Sequence, residues 1–185
     1  RQELLAGADQ ALDRLTALVT NLLDLSRLQA GALSVTVQPV GVDDMVNRAL
    51  AMLSSGADRV GLQVSPELPE VLADPGLLER VISNVLENAV RYSPPDAPVL
   101  VSAHAEADTV ELRVLDRGPG IDRLARAAVF EPFQRRDDRA VSTGAGVGLG
   151  LAIARGFVQA MHGSIALDDT PGGGLIVRIT LPAVG

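Results

Sequence analysis

The chain has no cysteine and no tryptophan, and aromatic residues make up only 2% of its 185 residues. Without cysteine there is no disulfide framework and no thiolate metal or redox centre. With so few aromatics, Leu, Val, Ile and Ala must build the core that a hydrophobic content of 47% supports. The same scarcity removes the aromatic platforms on which single-stranded nucleic acids stack. Basic residues are also few: 16 against 23 acidic ones, for a formal net charge of −7, with no basic run longer than Arg135-Arg136. Nucleic-acid binding needs clustered Lys and Arg, so no nucleic-acid partner is expected. No apolar stretch approaches the roughly 20 residues of a membrane span, and no signal peptide is visible. The chain opens on Arg inside a helical pattern, without Met, and so reads as a piece of something longer.

What is present begins with periodicity. Leu4, Ala8, Ala11, Leu15, Leu18, Leu22 and Leu25 recur at alternating spacings of four and three, the seam of a coiled coil or bundle. Leu5, Leu12, Val19 and Leu28 widen that stripe, which favours more than two helices. Gly31 supplies a C-terminal stop. One helix cannot bury such a face alone. Residues 1–31 are therefore expected to be half of a helical hairpin, its partner missing or supplied by a second copy. A helix packed on its own domain is the alternative.

Beyond Gly31 the pattern changes. Leu33, Val35 and Val37 alternate as in a short strand, Val42 to Leu53 has helical spacing, and Leu62 and Val64 suggest a strand ending at Pro66. Asp74-Pro75 starts a helix, with Asp at the cap and Pro at the first helical position. That helix carries Leu78, Val81, Ile82, Val85, Leu86, Ala89 and Val90 and stops before Pro94-Pro95. Two alternating strands follow, at Val99 to Ala103 and at Val110 to Val114. Residues 117–146 are irregular, and a long irregular segment inside a domain is usually functional or disordered. Leu149 to Met161 is helical, and a final hairpin turns across Gly172-Gly173-Gly174. The order implies a two-layer α+β domain of three helices on a mixed, mostly antiparallel sheet, preceded by a long helix.

Four blocks carry chemistry. Asn84 and Asn88 share one helix face, with Arg91 and Tyr92 a turn further on. Amide oxygens so spaced can hold a hydrated Mg²⁺, and Arg91 can meet phosphate, although an ordinary polar face explains them equally well. Asp116-Arg117-Gly118-Pro119-Gly120 follows a strand. Its carboxylate can accept from the exocyclic amine of adenine and its glycines admit a flat base, while a plain Asp-x-Gly turn is the bland alternative. Phe130-Glu131-Pro132-Phe133-Gln134-Arg135 holds two of the three Phe, as if a hydrophobic contact pinned a lid that carries Arg135 over phosphates. Gly146-Val147-Gly148-Leu149-Gly150-Leu151 opens a helix, where backbone N–H groups favour anions. It lacks the Lys and Ser/Thr of a Walker loop and does not follow a strand as a dinucleotide fingerprint does. A tight packing turn is its alternative.

Taken in order, Asn-x-x-x-Asn, Asp-x-Gly-x-Gly, Phe-x-x-Phe-x-Arg and Gly-x-Gly-x-Gly-Leu resemble the N, first-glycine, F and second-glycine boxes of sensor histidine kinases. These belong to the wider Bergerat-fold ATPase group. The resemblance covers about residues 70–182. It reaches back to Asn21-Leu22-Leu23-Asp24-Leu25-Ser26-Arg27-Leu28-Gln29-Ala30-Gly31, which resembles the end of the second helix of that family's dimerisation and phosphoacceptor hairpin. Ser142-Thr143-Gly144-Ala145 before the glycine loop and Ala152-Ile153-Ala154-Arg155 after it are similar to Kdp-type potassium-responsive sensors.

The resemblance implies ATP and Mg²⁺ as ligands. It makes Asn88 the principal metal ligand with Asn84 beside it, sets Arg91 and Tyr92 on phosphate or ribose, and puts Asp116 on the adenine amine. Gly118, Gly120 and Ile121 then shape the base pocket, Phe133 and Arg135 belong to the lid, and Gly146, Gly148, Leu149, Gly150 and Leu151 flank the phosphates. It divides the chain into the second hairpin helix, 1–31, and the catalytic domain, 32–185. It also implies a response-regulator receiver domain and a second kinase copy as partners, on the cytoplasmic side of a membrane reached only through segments outside this chain. An anti-sigma-factor kinase, a gyrase-type ATPase or a non-catalytic dimerisation module are the alternatives.

One departure limits the activity. The phosphoacceptor histidine belongs on the first hairpin helix, and the only histidines here are His104, in an alternating strand, and His162, at a helix end. The chain is expected to bind ATP without holding its own acceptor.

Overall fold

The computed structural model describes residues 2–134 and 148–185. Helix α1, Gln2–Gln29, is followed by β1 (Gln38–Val40), α2 (Val42–Ala51), β2 (Val60–Gln63), β3 (Val71–Ala73) and α3 (Pro75–Tyr92). Then come β4 (Val99–Glu106), β5 (Thr109–Leu115), α4 (Gly150–Ala160), β6 (Ser164–Asp169) and β7 (Leu175–Pro182). The main sheet has the order β2-β4-β5-β7-β6, with only the β2–β4 edge parallel. A small antiparallel pair, β1–β3, sits beside it, and Val71 also bridges Ala183.

The sheet alternates. Val99 and Val101, Val110, Leu112 and Val114, and Val177 and Ile179 point to one face, where α3 lies against β5 and α4 against β6, with α2 packed on α3. The helices complete that core with Met45, Val46, Leu78, Val81, Ile82, Val85, Ile153 and Phe157. Removing most of Phe157 would cost about 3–5 kcal/mol, since it is fully buried in that core. The layering and the mostly antiparallel sheet are as the sequence pattern predicts.

Two local readings change. The strand expected at Leu33 to Val37 is an extended segment whose Leu33 and Val35 pack on the core; the pairing falls on Gln38–Val40 instead. Alternation reports one-sided burial, not which backbone supplies the hydrogen bonds. Strand β3 was not anticipated, because three residues are too few to show a period. The extended segment is anchored where the Thr36 N–H donates to Asp74 Oδ2 at 2.8 Å.

Among the described residues, helix α1 meets the domain through its last turns. Leu25 is buried, and Leu28 sits against Gly156 of α4, where an added methyl would come within 2.7 Å of it. Asp24 forms an ion pair with Arg80 of α3. Further back, Leu12, Leu15, Leu18, Val19 and Leu22 are exposed, so much of the apolar seam is uncovered within this chain.

Candidate functional site

Helix α3 starts as its sequence signals. Asp74 caps it, accepting from the Leu77 N–H at 3.1 Å, and Pro75 takes the first position. Its buried stripe, Leu78, Val81, Ile82, Val85, Leu86 and Ala89, rotates Asn84 and Asn88 onto a half-buried flank. That flank meets the start of α4. A methyl added at Gly150 would lie 3.6 Å from Asn88 Nδ2 and 3.7 Å from Asn84 Oδ1. The first turn of α4 therefore rests on the amide pair with no side chain between them.

The start of α4 has no side-chain cap and no acidic residue in its first turn. Its leading N–H groups and the positive end of its dipole lie beside the two amides, an arrangement suited to oxyanions. Asn84 Nδ2 is buried with no hydrogen-bond partner among the described residues. Such a donor normally has a partner, and a ligand oxygen would supply one.

The second wall is built at the end of β5. Asp116, one residue beyond the strand, is 7% exposed. Its Oδ1 accepts from the Gly118 N–H at 2.8 Å and the Leu175 N–H at 3.0 Å, which fixes the carboxylate plane. Gly118 lies so close to α3 that a methyl there would be 2.7 Å from the Tyr92 carbonyl oxygen. Gly120, at φ +65°, similarly abuts the Gly174 carbonyl. Ile121 packs half-buried on the core, and a cleft of about 580 Å³ opens between residues 119–122 and the β6–β7 turn. Arg91 and Tyr92 are exposed on the last turn of α3.

The glycine loop and the F block also meet. The Phe133 N–H donates to the Gly148 carbonyl at 3.2 Å, and a methyl at Gly148 would be 2.6 Å from the Gln134 carbonyl oxygen. Phe130 is half-buried against the core, with Arg155 stacked 5.5 Å from its ring centre. Phe133 is 58% exposed at φ +64°, so one Phe of the pair, not both, makes the pinning contact. Leu149 is buried in the core, so any contribution from it to the site is through backbone; Leu151 is half-buried against the same core. Arg135 and Gly146 lie outside the described residues.

Sequence reading missed several residues that hold these walls in place. Gly174 was read only as part of a turn, yet a methyl on it would collide with the Asp116 carbonyl. The buried Ser93 Oγ accepts from the Arg117 N–H at 3.1 Å, and Arg126 donates to the Ile121 and Leu167 carbonyls while pairing with Asp169. The glycine run was the one visible signal. The others act through backbone groups, which leave no motif. Among the described residues no group of three or more His, Cys, Asp or Glu side chains could hold a metal, so a cation here would rely on amide and ligand oxygens.

Residues 73–185 match the histidine kinase-, DNA gyrase B- and HSP90-like ATPase family. The chain belongs to that family. Sensor kinases are among its relatives. The sensor protein KdpD of Rathayibacter rathayi is 51% identical over 168 residues, covering 91% of this chain and 19% of that protein. The solved full-length ShkA structure, a complex with AMPPNP, aligns with 100% of this chain and 39% of its own, at TM-score 0.80 and 30% identity. A structure of the mycobacterial sensor histidine kinase MprB aligns over 98% of its length and 80% of this chain, at TM-score 0.68 and 30% identity. The folded unit is thus a sensor histidine kinase ATPase domain, and the chain spans about a fifth of the length of the curated relatives it matches.

Proposed function

We propose that this domain binds ATP with Mg²⁺ between the Asn84–Asn88 face and the Asp116 loop, and donates the γ-phosphoryl group to a histidine outside this chain. The observation that carries the reading is the uncapped start of α4 resting on the two amides, with Asn84 Nδ2 unsatisfied beside it among the described residues. Asp116, its plane set by two N–H groups, accepts from the adenine amine. Arg91 and Tyr92 reach phosphate or ribose, Gly118, Gly120 and Ile121 shape the base cleft, and Gly148 and Gly150 let backbone approach the phosphates. Asn88, with Asn84, would hold the metal through amide oxygen. Mg²⁺, when bound, would supply neutralisation of the triphosphate charge.

Transfer then proceeds by attack of an imidazole nitrogen on the γ-phosphorus, with the bond to the bridging oxygen breaking and ADP leaving. The protein's part is positioning and charge stabilisation. Onward transfer to an aspartate of a response regulator completes the proposed role. Residues 1–31 act as the second hairpin helix, their exposed Leu12, Leu15, Leu18, Val19 and Leu22 facing the missing helix and a second copy, on the cytoplasmic side. Among the described residues no helix is long and apolar enough to cross a membrane.

Titration calorimetry with ADP and Mg²⁺ tests the site. Saturable binding below millimolar nucleotide is expected, and its absence would overturn the reading. Asn88→Asp should weaken the Mg²⁺-dependent part of binding; an unchanged titration would remove Asn88 from the site.

A further inference from the structure

We infer that Arg59 is a positioning residue for the base end of the nucleotide site, acting through the last turn of α3; this rests on the ATP-site reading above. Arg59 ends a single 3-10 turn, Ala57–Arg59, just before β2. Its Nη1 donates to the Val90 carbonyl at 3.4 Å. Its Nη2 donates to the carbonyls of Ser93 at 3.5 Å, Pro94 at 2.6 Å and Ala97 at 3.1 Å. All four acceptors belong to the end of α3 and the turn after it. Helix-end carbonyls are the ones without intrahelical partners, and a cation there also matches the negative end of the dipole. The planar fork suits several fixed acceptors as an ammonium does not. The approach is close on both sides: a methyl on Gly56, φ +81°, would be 2.5 Å from Val90 Cγ1.

The residues so gripped belong to the site. Val90 and Ser93 bracket Arg91 and Tyr92. Ser93 passes the constraint on, since its Oγ accepts from the N–H of Arg117, the residue after Asp116. Gly118 abuts the Tyr92 carbonyl. One guanidinium thus sets the end of α3, and the end of α3 sets the Asp116 loop. Asn84 and Asn88 lie further up the helix, within its regular hydrogen bonding, and do not depend on this grip. Loss of Arg59 should therefore disturb the base cleft and the Arg91–Tyr92 contacts while sparing the amide pair that would hold Mg²⁺.

The test titrates the full chain with ADP, with and without Mg²⁺, well below each variant's melting temperature. The panel is wild type, Arg59→Met, Arg59→Lys, Ser93→Ala, the Arg59→Met/Ser93→Ala double variant, and Arg178→Met on the opposite sheet face as a control for simple destabilisation. Arg59→Met should weaken ADP about tenfold in both conditions, leaving the fold-gain from Mg²⁺ unchanged. Arg59→Lys should recover part of the loss, and Ser93→Ala should matter less once Arg59 is gone, because both break one link. Arg178→Met should bind like wild type. If Arg59→Met does not fold, Arg59→Lys and Ser93→Ala carry the same comparison. Wild-type binding with unaffected Arg59 variants, or a loss matched by Arg178→Met, overturns this inference alone. No ADP binding by wild type overturns the site reading, and this inference with it.

Discussion

The carboxylate of Asp24 on α1 is paired with Arg80 of α3, whose guanidinium also lies 5.7 Å from the ring centre of Phe157 on α4. Asp24 is 5% exposed, whereas the Arg80 side chain is about a third exposed. Removing the buried partner leaves a charge that can still reach water. Asp24→Ala should therefore lower stability by about 1–3 kcal/mol, short of the loss for a fully enclosed pair. Urea denaturation of Asp24→Ala, Arg80→Met and the double variant measures this, and the two effects should not add.

A second prediction concerns the notch at Gly156. A methyl there would come 2.7–3.3 Å from three side-chain atoms of Leu28, a flexible neighbour that can yield. Gly156→Ala gains about 1 kcal/mol in helix propensity, which offsets the crowding, so its net effect should be small. Gly156→Val is bulkier and gains less propensity, and should loosen the end of α1 by about 1–2 kcal/mol. Trypsin cleavage after the exposed Arg27 reads this directly: faster in the Val variant, little changed in the Ala variant.

Much of this architecture could be read from the residues. Asp74-Pro75 marked the start of α3 correctly, and the alternation of Val110, Leu112 and Val114 marked β5. The amide pair and the glycine loop could be named, and the fold brings Gly150 against Asn84 and Asn88. What could not be read was support through carbonyls and N–H groups. Arg59, Ser93 and Arg126 bind backbone, and backbone has the same chemistry at every position. Nor did the glycine run between β6 and β7 distinguish a residue that only turns from one that another element leans on.

That difference is itself testable. Gly173 and Gly174 both have positive φ, +108° and +118°, but a methyl at Gly173 meets nothing within 4 Å while one at Gly174 meets the Asp116 carbonyl. Gly173→Ala should lose only backbone strain, about 1–2 kcal/mol. Gly174→Ala should lose more and also weaken nucleotide binding by displacing Asp116. Thermal melts of both variants, paired with ADP titrations, separate the two; equal binding losses would contradict the assignment.

The outer face of the sheet predicts a pH dependence. Glu111 is buried between Arg113 and Arg178. Burial is the largest single influence and pushes its carboxyl up. The Arg113 hydrogen bond at 2.5 Å and the charges of Arg113, Arg178 and His104 together outweigh it, so the net pKa lies below the ordinary 4.5. A group lowered on folding stabilises the protein above its unfolded pKa and loses that contribution as pH falls through the folded value. Glu111→Gln should thus cost about 1–3 kcal/mol at pH 7, with the gap to wild type closing below about pH 4. Denaturation midpoints from pH 7 to pH 3 give the comparison, and a gap that widened in acid would reverse the sign.

The hydrogen bond from Thr36 to Asp74 has a mechanical consequence. Asp74 grips the segment leaving α1 with one carboxylate oxygen and caps α3 with the other. Tension applied along α1 thereby has one path, beside the Asp24–Arg80 pair, to the first turn of the helix that carries Asn84 and Asn88. A pull or twist on the long helix thus reaches the amide-bearing helix at two places along its length, at Asp74 at its start and at Arg80, the partner of Asp24, one turn before Asn84.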